Sequence, residues 1–164
     1  MFSFSRLVVA GGCLLALAGT ANAQSDWLKG TPEERVNKLA ELQPGLGTVM
    51  VEYSFRFGAL YYAAQGGNWA LAEYQLKEMT EIQEVAENTR PGRAQALKNY
   101  EEKSLGPIGA AIKAKDLKAF NVAFQSGLKG CNECHVDQKF AYIHYELPKA
   151  SPSPLSSKPP AAKP

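Results

Sequence analysis

The chain has no excess of charge of either sign. Its 18 lysine and arginine residues nearly balance its 16 aspartate and glutamate residues, and the formal net charge is +2 at pH 7. The basic residues also form no patch of the kind that binds a phosphate backbone. We therefore expect no nucleic-acid partner.

Strand signals and catalytic pairings are lacking as well. No segment alternates apolar and polar residues over a sustained length, and no hairpin dipeptide joins two apolar runs, so the pattern predicts no β-strand. Serine, glutamate and aspartate residues occur singly, without a recognisable pairing of nucleophile and base. We therefore expect an all-α protein without catalytic residues, which is not an enzyme.

Long apolar runs are limited to the N-terminus. Residues 1–23 contain the single charge of Arg6, an apolar run over residues 7–19 and an A-x-A sequence that ends at Ala23, a pattern typical of a secretory signal peptide. We predict cleavage after Ala23 and export to the periplasm, with a retained anchor or a lipoprotein signal as alternatives. Because the run is too short to span a bilayer comfortably, we do not expect an integral membrane protein.

Cysteine is scarce, and export makes it scarcer. Of the three cysteines, Cys13 leaves with the predicted signal peptide, so Cys131 and Cys134 are the only thiols of the mature chain. With His135 they form a C-x-x-C-H sequence, the attachment signature of c-type haem. In an oxidising compartment two such thiols form a disulfide unless something captures them, and haem attachment is one such capture.

The spacing of this motif suits an α-helix. At about 100° per residue, Cys131 and Cys134 are neighbours on one face, and His135 lies one turn beyond Cys131 on the same face. We therefore predict one covalent haem c, with thioether links to both cysteines and with the imidazole of His135 as an axial iron ligand.

Three other uses of the motif remain open. A thioredoxin-like redox pair requires a βαβ context, which the sequence lacks, whereas a simple disulfide requires only the two thiols. A structural zinc site requires four ligands, and His144 could be the fourth. On one continuous helix, however, His144 would lie about 180° around and roughly 13 Å along from His135. We therefore expect His144 to be a surface residue and not a ligand.

The second axial ligand of the iron has to come from upstream, because no methionine follows His135. The methionines of the predicted mature chain are Met50 and Met79. Met50 shares a helical stripe with Tyr53 and Phe57, residues that could line one face of the haem, so we predict Met50 as the sixth ligand. The alternatives are Met79, an open coordination position, or methionines that only fill the core.

Helical spacing and capping residues organise the rest of the chain. A short helix is predicted to begin after Thr31 with a capping box, followed by helices over about 46–64, 69–88 and 93–113, the last interrupted near Gly106-Pro107. A further helix begins at Asp116 and is expected to continue through Tyr142 until Pro148. Four main helices with short connections predict an antiparallel four-helix bundle, and residues 24–147 form one helical domain.

The segment after that domain and three residues within it carry further predictions. The proline-rich tail, residues 148–164, is predicted to be disordered because it cannot bury enough apolar surface. Gly127 and Gly130, just before the motif, indicate a close approach of the macrocycle or of a neighbouring helix, or a simple irregularity. Arg56 could pair with a haem propionate, although an exposed arginine is the plainer interpretation.

At this point the chain resembles a known family. A helical exported domain with one C-x-x-C-H sequence on its last helix is similar to the cytochrome c′ and cytochrome c-556 group, which are four-helix-bundle monohaem cytochromes. The sequence from Met50 to Ala72 adds a similarity of pattern. The resemblance covers roughly residues 46–145, but only the C-x-x-C-H sequence is specific.

The resemblance implies roles for four residues. Cys131 and Cys134 match the thioether cysteines, His135 matches the proximal ligand, and Met50 matches the sixth ligand of low-spin members. In five-coordinate members that position is apolar and admits nitric oxide or carbon monoxide. The resulting expectation is a periplasmic electron-transfer cytochrome with an unidentified redox partner. A homodimer is left open, because the sequence has no decisive apolar patch. The alternatives are a gas-binding haem protein and a haem-free helical module held by zinc or a disulfide.

Overall fold

The structure is a computed structural model that describes residues 28–161, so the predicted signal peptide lies outside the described residues. Within residues 28–161 all regular structure is helical and no strand is present, as predicted. No helix in this part of the chain is both long and apolar enough to cross a membrane. The elements, in order, are α1 (Pro32–Glu41), α2 (Leu46–Gln65), α3 (Trp69–Thr89), α4 (Pro91–Tyr100), a π-helical turn (Glu101–Leu105), α5 (Gly106–Ala114) and α6 (Leu117–Asp137).

The chain divides into two compact units, Met1–Leu39 and Ala40–Pro164, and most of α1 belongs to the first. The predicted capping box of α1 is confirmed. The amide of Thr31 donates to the carboxylate of Glu34 over 2.7 Å, and the amide of Glu34 donates to the Thr31 hydroxyl over 3.2 Å. Hydrogen bonds to the carboxylate from Thr31, first from its amide and then from its side chain, hold the pKa of Glu34 below its ordinary value, because they stabilise the ionised carboxylate.

The predicted boundaries of α2, α3 and the start of α6 are confirmed to within a residue or two, because local hydrogen bonds set them. The side chain of Asn68 accepts from the amide of Leu71 at the start of α3. The carboxylate of Asp116 accepts from the amides of Lys118 and Ala119 at the start of α6. Such caps satisfy amides that have no partner in the first helical turn.

The irregularity predicted near Gly106-Pro107 is present, but it lies just before these residues. The chain continues from α4 through the π-helical turn, Glu101–Leu105, directly into α5, where Pro107 stands in the first turn. Proline is accepted there because the first-turn amides need no partner within the helix.

The predicted extent of α6 is wrong at its C-terminus. The helix ends at Asp137, and Lys139 then adopts a left-handed conformation with φ of 70°. The amide of Phe140 donates back to the carbonyl of His135 over 2.7 Å, so the chain reverses instead of continuing. Tyr142, through which the helix was expected to continue, is 81% exposed.

In the second unit, α2 packs on α3, α3 packs on α4 and α5, and α6 packs on α5, the π-helical turn and α2. The largest fully buried apolar side chains are Phe57, Leu60, Met79, Ile108, Phe120 and Phe124. Helical spacing predicts that Leu71, Tyr74, Met79, Ile82 and either Val85 or Ala86 form the core face of α3. Met79 and Ala86 are fully buried as predicted, but Tyr74 is exposed, and Gln75 and Gln83 are fully buried instead. Both glutamines have hydrogen-bond partners inside, which makes the burial of their amides acceptable.

The described part of the proline-rich tail has no helix or strand and lies against α2. The hydroxyl of Tyr62 donates to the carbonyl of Pro148 over 2.5 Å, and the side-chain amide of Asn68 donates to the carbonyl of Ser156 over 3.2 Å. A Cβ atom at Gly66 would lie 2.2 Å from the carbonyl oxygen of Ser157. Up to residue 161, therefore, the predicted disorder of the tail is not confirmed.

Candidate functional site

A cavity of about 420 Å³ lies between α2, α4, the end of α6 and the chain that follows α6. This volume is within the range of small-molecule and cofactor sites. Val51 and Ile143 line it and are 71% and 47% exposed, so one edge of the cavity reaches the surface. Its lining is mainly apolar and aromatic and includes Leu46, Met50, Tyr53, Phe57, Ala96, Leu97, Tyr100, Phe140 and Tyr145.

The structure brings all four predicted site residues to this cavity. Cys131, Cys134 and His135 line it from α6, and Met50 lines it from α2. Met79, the alternative ligand, is fully buried in the hydrophobic core and is not part of the lining. Of the two methionines, only Met50 is therefore placed to meet a group held by the motif.

The thiol of Cys131 is partly buried beside a tyrosine. The hydroxyl of Tyr100 lies 2.9 Å from its sulfur, and burial raises the pKa of the thiol to about 11. Burial raises the pKa of Cys134 as well, and Asp137 adds to that effect. Reactive C-x-x-C pairs instead have a lowered thiol pKa at the N-terminus of a helix, whereas these cysteines lie near the C-terminal end of α6. The environment thus disfavours the thioredoxin-like alternative.

The imidazole of His135 is held in one tautomer. Its Nδ1 atom lies 2.9 Å from the carbonyl oxygen of Ile143. Because a carbonyl can only accept, Nδ1 must carry the hydrogen, and in the neutral imidazole Nε2 then keeps its lone pair. A ring nitrogen bound to a backbone carbonyl is the usual support for a metal-ligating histidine.

The chain after α6, residues 138–147, is called the return segment here. From this segment His144 lines the cavity, and it is exposed, as expected of a surface residue. The separation expected on one continuous helix does not apply, because α6 ends at Asp137. Within residues 28–161, nevertheless, no group of three or more histidine, cysteine or acidic residues could hold a metal ion.

Arginine also lines the cavity, at a position that the sequence did not indicate. Arg93 donates to the side-chain oxygen of Gln138, and its guanidinium lies 5.4 Å from the ring centre of Phe140. Arg56, which the sequence suggested as a partner of a propionate, forms two ion pairs instead. Its guanidinium nitrogen lies 2.8 Å from the carboxylate of Glu52 on the same helix and 3.6 Å from that of Glu78 on the neighbouring helix. No local pattern distinguishes Arg93, because the return segment alone brings its partners near.

Behind the cavity wall lies a buried polar chain that the sequence did not indicate either. Tyr53, which lines the cavity, donates to the side-chain oxygen of Gln83 over 2.8 Å. The amide nitrogen of Gln83 donates in turn to Glu87 over 2.9 Å and to Glu101 over 2.8 Å. Burial raises the pKa of Tyr53 well above its ordinary value, so this phenol stays neutral and its ring forms a fixed wall.

The two glycines before the motif allow a neighbouring segment to approach α6. A Cβ atom at Gly130 would lie 2.8 Å from the hydroxyl oxygen of Ser104, and one at Gly127 would lie 3.0 Å from the Cδ1 atom of Ile108. Ser104 belongs to the π-helical turn and Ile108 to α5. Of the predicted alternatives, the close approach of a neighbouring helix is therefore the one that the structure supports.

The site thus combines two adjacent thiols, an imidazole with a free Nε2 atom and a methionine sulfur around an apolar cavity. Residues of this kind can bond a flat apolar group covalently and ligate a metal within it. Beyond these features of the chain itself, no protein-family model, no curated protein and no solved structure matches the sequence.

Proposed function

We propose that this protein is an exported monohaem c-type cytochrome that transfers electrons. The observation that carries the proposal is that Cys131, Cys134 and His135 line one apolar cavity while the carbonyl of Ile143 holds Nδ1 of His135. That arrangement leaves Nε2 free for an iron atom. A C-x-x-C-H sequence that occurred by chance would not be expected to line an apolar cavity or to have its histidine bound by a backbone carbonyl.

Each residue of the site then has a role. Cys131 and Cys134 form the thioether links, His135 supplies the proximal nitrogen, and Met50 is the candidate for the sixth position. When bound, haem c supplies a one-electron iron couple. The apolar lining keeps water away from the iron, which tunes its potential, and the exposed edge at Val51 and Ile143 gives a partner access.

We assign the propionate groups to Arg93. Its guanidinium lines the cavity and is held in place by Gln138 and by the ring of Phe140. A planar guanidinium is well suited to carboxylates. Arg56 is unsuited to this role because Glu52 and Glu78 already pair with it.

The finer fold that we propose is an antiparallel four-helix bundle like that of the cytochrome c′ and cytochrome c-556 group. Its support is that α4, the π-helical turn and α5 follow one another without a loop and so act as one bundle member. Contacts from α2 to α3, from α3 to α4 and α5, from α5 to α6, and from α6 back to α2 close the ring.

Haem attachment is tested by expressing the whole chain in a bacterial host with a working haem-attachment system. We expect a red protein whose intact mass equals that of the chain from Gln24 onwards plus one haem. The double variant Cys131→Ala/Cys134→Ala is the matched control and should be colourless. A colourless wild type with the mass of the bare chain would leave only the haem-free module.

The absorption spectrum of the same protein separates the two haem functions. A low-spin spectrum in both oxidation states supports electron transfer with two axial ligands. A high-spin spectrum that changes on addition of carbon monoxide supports the gas-binding alternative. A mass that includes residues 1–23 would contradict the predicted cleavage after Ala23 and favour the retained anchor.

A further inference from the structure

Asn132, the second residue of the C-x-x-C-H sequence, binds both backbone groups of one residue in the return segment. Its side-chain nitrogen donates to the carbonyl of Tyr145 over 3.1 Å, and its side-chain oxygen accepts from the amide of Tyr145 over 2.8 Å. Both residues are partly buried. The two bonds resemble those that a neighbouring strand would make, and they fix where Tyr145 lies along α6.

The same pair of bonds determines where the carbonyl of Ile143 lies. Ile143 precedes Tyr145 by two residues, and its amide donates to the carbonyl of Phe140 over 2.8 Å. The peptide that reaches His135 is thus held on one side by Phe140 and on the other by Asn132. Its carbonyl meets Nδ1 of His135 at 2.9 Å.

We propose that Asn132 is a positioning residue that sets the reduction potential of the iron by fixing the bond between Ile143 and His135. This inference rests on the proposed function. A hydrogen bond from Nδ1 to a carbonyl makes the imidazole a stronger electron donor, which stabilises the oxidised iron and lowers the potential. Without Asn132 the carbonyl of Ile143 is no longer held beside Nδ1 of His135, and the reduction potential of the iron rises.

The return segment has a second attachment that does not involve Asn132. The hydroxyl of Tyr145 donates to the carbonyl of Ser54 over 3.1 Å, and its ring meets Phe57 edge-on at 5.8 Å. Loss of the side-chain amide of Asn132 should therefore let the return segment shift along α6 and still leave it attached to α2. A merely structural role for Asn132 predicts lower stability without a change at His135.

The test compares Asn132→Ala and Asn132→Leu with Glu133→Ala in the haem-bearing protein. Glu133 is the neighbouring residue of the motif and makes an exposed ion pair with Lys129 at 2.9 Å, so it is a matched control. The readouts are the reduction potential and the solvent exchange of the Nδ1 proton of His135, followed by NMR in the reduced protein. Leucine keeps the approximate size of asparagine without its hydrogen bonds.

We expect both Asn132 variants to raise the potential and to make exchange of the Nδ1 proton about tenfold faster, and Glu133→Ala to change neither. Haem-bearing variants that match Glu133→Ala in both readouts overturn the proposal. Variants that take up no haem while Glu133→Ala does overturn it too, since Asn132 would then act in attachment. A colourless wild type contradicts the proposed function itself and is distinct from both results.

Discussion

The hydroxyl of Tyr100 lies 2.9 Å from the sulfur of Cys131. The same hydroxyl donates to the carbonyl of Gly127 over 3.2 Å, so the last residue of α4 is bound to α6 at the first cysteine of the motif. This contact connects the π-helical turn, which begins one residue later, with the wall of the cavity. π-Helical turns are frequent at functional sites, and this one lies directly behind a motif cysteine.

Replacing Tyr100 by phenylalanine tests that contact. Because the hydroxyl is buried and bonds to α6, we expect Tyr100→Phe to lower the free energy of unfolding by about 1 kcal/mol. Denaturant unfolding followed by circular dichroism measures it. Tyr74→Phe is the control, since Tyr74 is 47% exposed. Equal stability of the two variants would show that the hydroxyl of Tyr100 contributes nothing.

The close approach at Gly130 can be tested in the same way. Alanine at a helical glycine usually stabilises by about 1 kcal/mol, but here the new Cβ atom would lie 2.8 Å from the hydroxyl oxygen of Ser104. We expect Gly130→Ala to destabilise the protein by about 1–3 kcal/mol. In denaturant unfolding, adding Ser104→Ala should recover part of that loss.

Gly92 supplies the reference for this series, because a Cβ atom there would meet nothing within 4 Å. Gly92→Ala should leave the free energy of unfolding unchanged or raise it. A Gly130→Ala variant as stable as Gly92→Ala would mean that the π-helical turn does not press on α6.

The two methionines separate ligation from packing. Met79 is fully buried in the core, so Met79→Ala should cost about 2–5 kcal/mol of stability and leave the haem spectrum unchanged. Met50 lines the cavity, so Met50→Ala should shift the spectrum towards high spin and lower the reduction potential. Absorption spectra and potentiometry provide the readouts, and an unaltered spectrum in Met50→Ala would eliminate Met50 as the ligand.

The attachment of the return segment should depend on alkaline pH. Burial raises the pKa of Tyr145 from the ordinary 10.0 to about 12, so the folded protein favours the neutral phenol. The stabilisation is therefore complete below pH 10 and is lost as the pH rises towards 12. Spectrophotometric titration of tyrosinate in the wild type and in Tyr145→Phe isolates this residue.

We expect the difference between the two titrations to show one tyrosine that ionises well above pH 10, and Tyr145→Phe to lose less stability than the wild type as the pH rises. A difference curve centred at the ordinary tyrosine pKa of 10.0 would mean that the Tyr145 phenol is not buried in solution.

Helix starts were predictable wherever one side chain caps a nearby amide. Thr31, Asn68 and Asp116 each bond to an amide within three residues, and such contacts are written in the local sequence. The stripe of Tyr53 and Phe57 was predictable for a similar reason, because a helical period leaves one face apolar.

The inner face of α3 was not predictable from its own residues. Gln83 is buried because Glu87 together with Tyr53 on α2 and Glu101 in the π-helical turn satisfies its amide. Tyr53 and Glu101 are far from Gln83 in sequence, so the local pattern predicts that a polar residue at this position faces solvent. Tertiary hydrogen bonds override the apolar pattern in such cases.

The sequence by itself determined that the described chain is helical, where most helices begin, and that two cysteines and a histidine share one helical face. Each of these depends on residues a few positions apart, which hydrogen bonds and the helical period relate directly. Only the tertiary structure decided that α6 ends at Asp137 and that the return segment brings Ile143, His144 and Tyr145 back to the site. The physical reason for this reversal of the chain is the left-handed turn at Lys139 together with the hydrogen bonds that Asn132 and His135 make to the return segment. Those hydrogen bonds exist only once the chain has reversed, so no local sequence pattern predicts them.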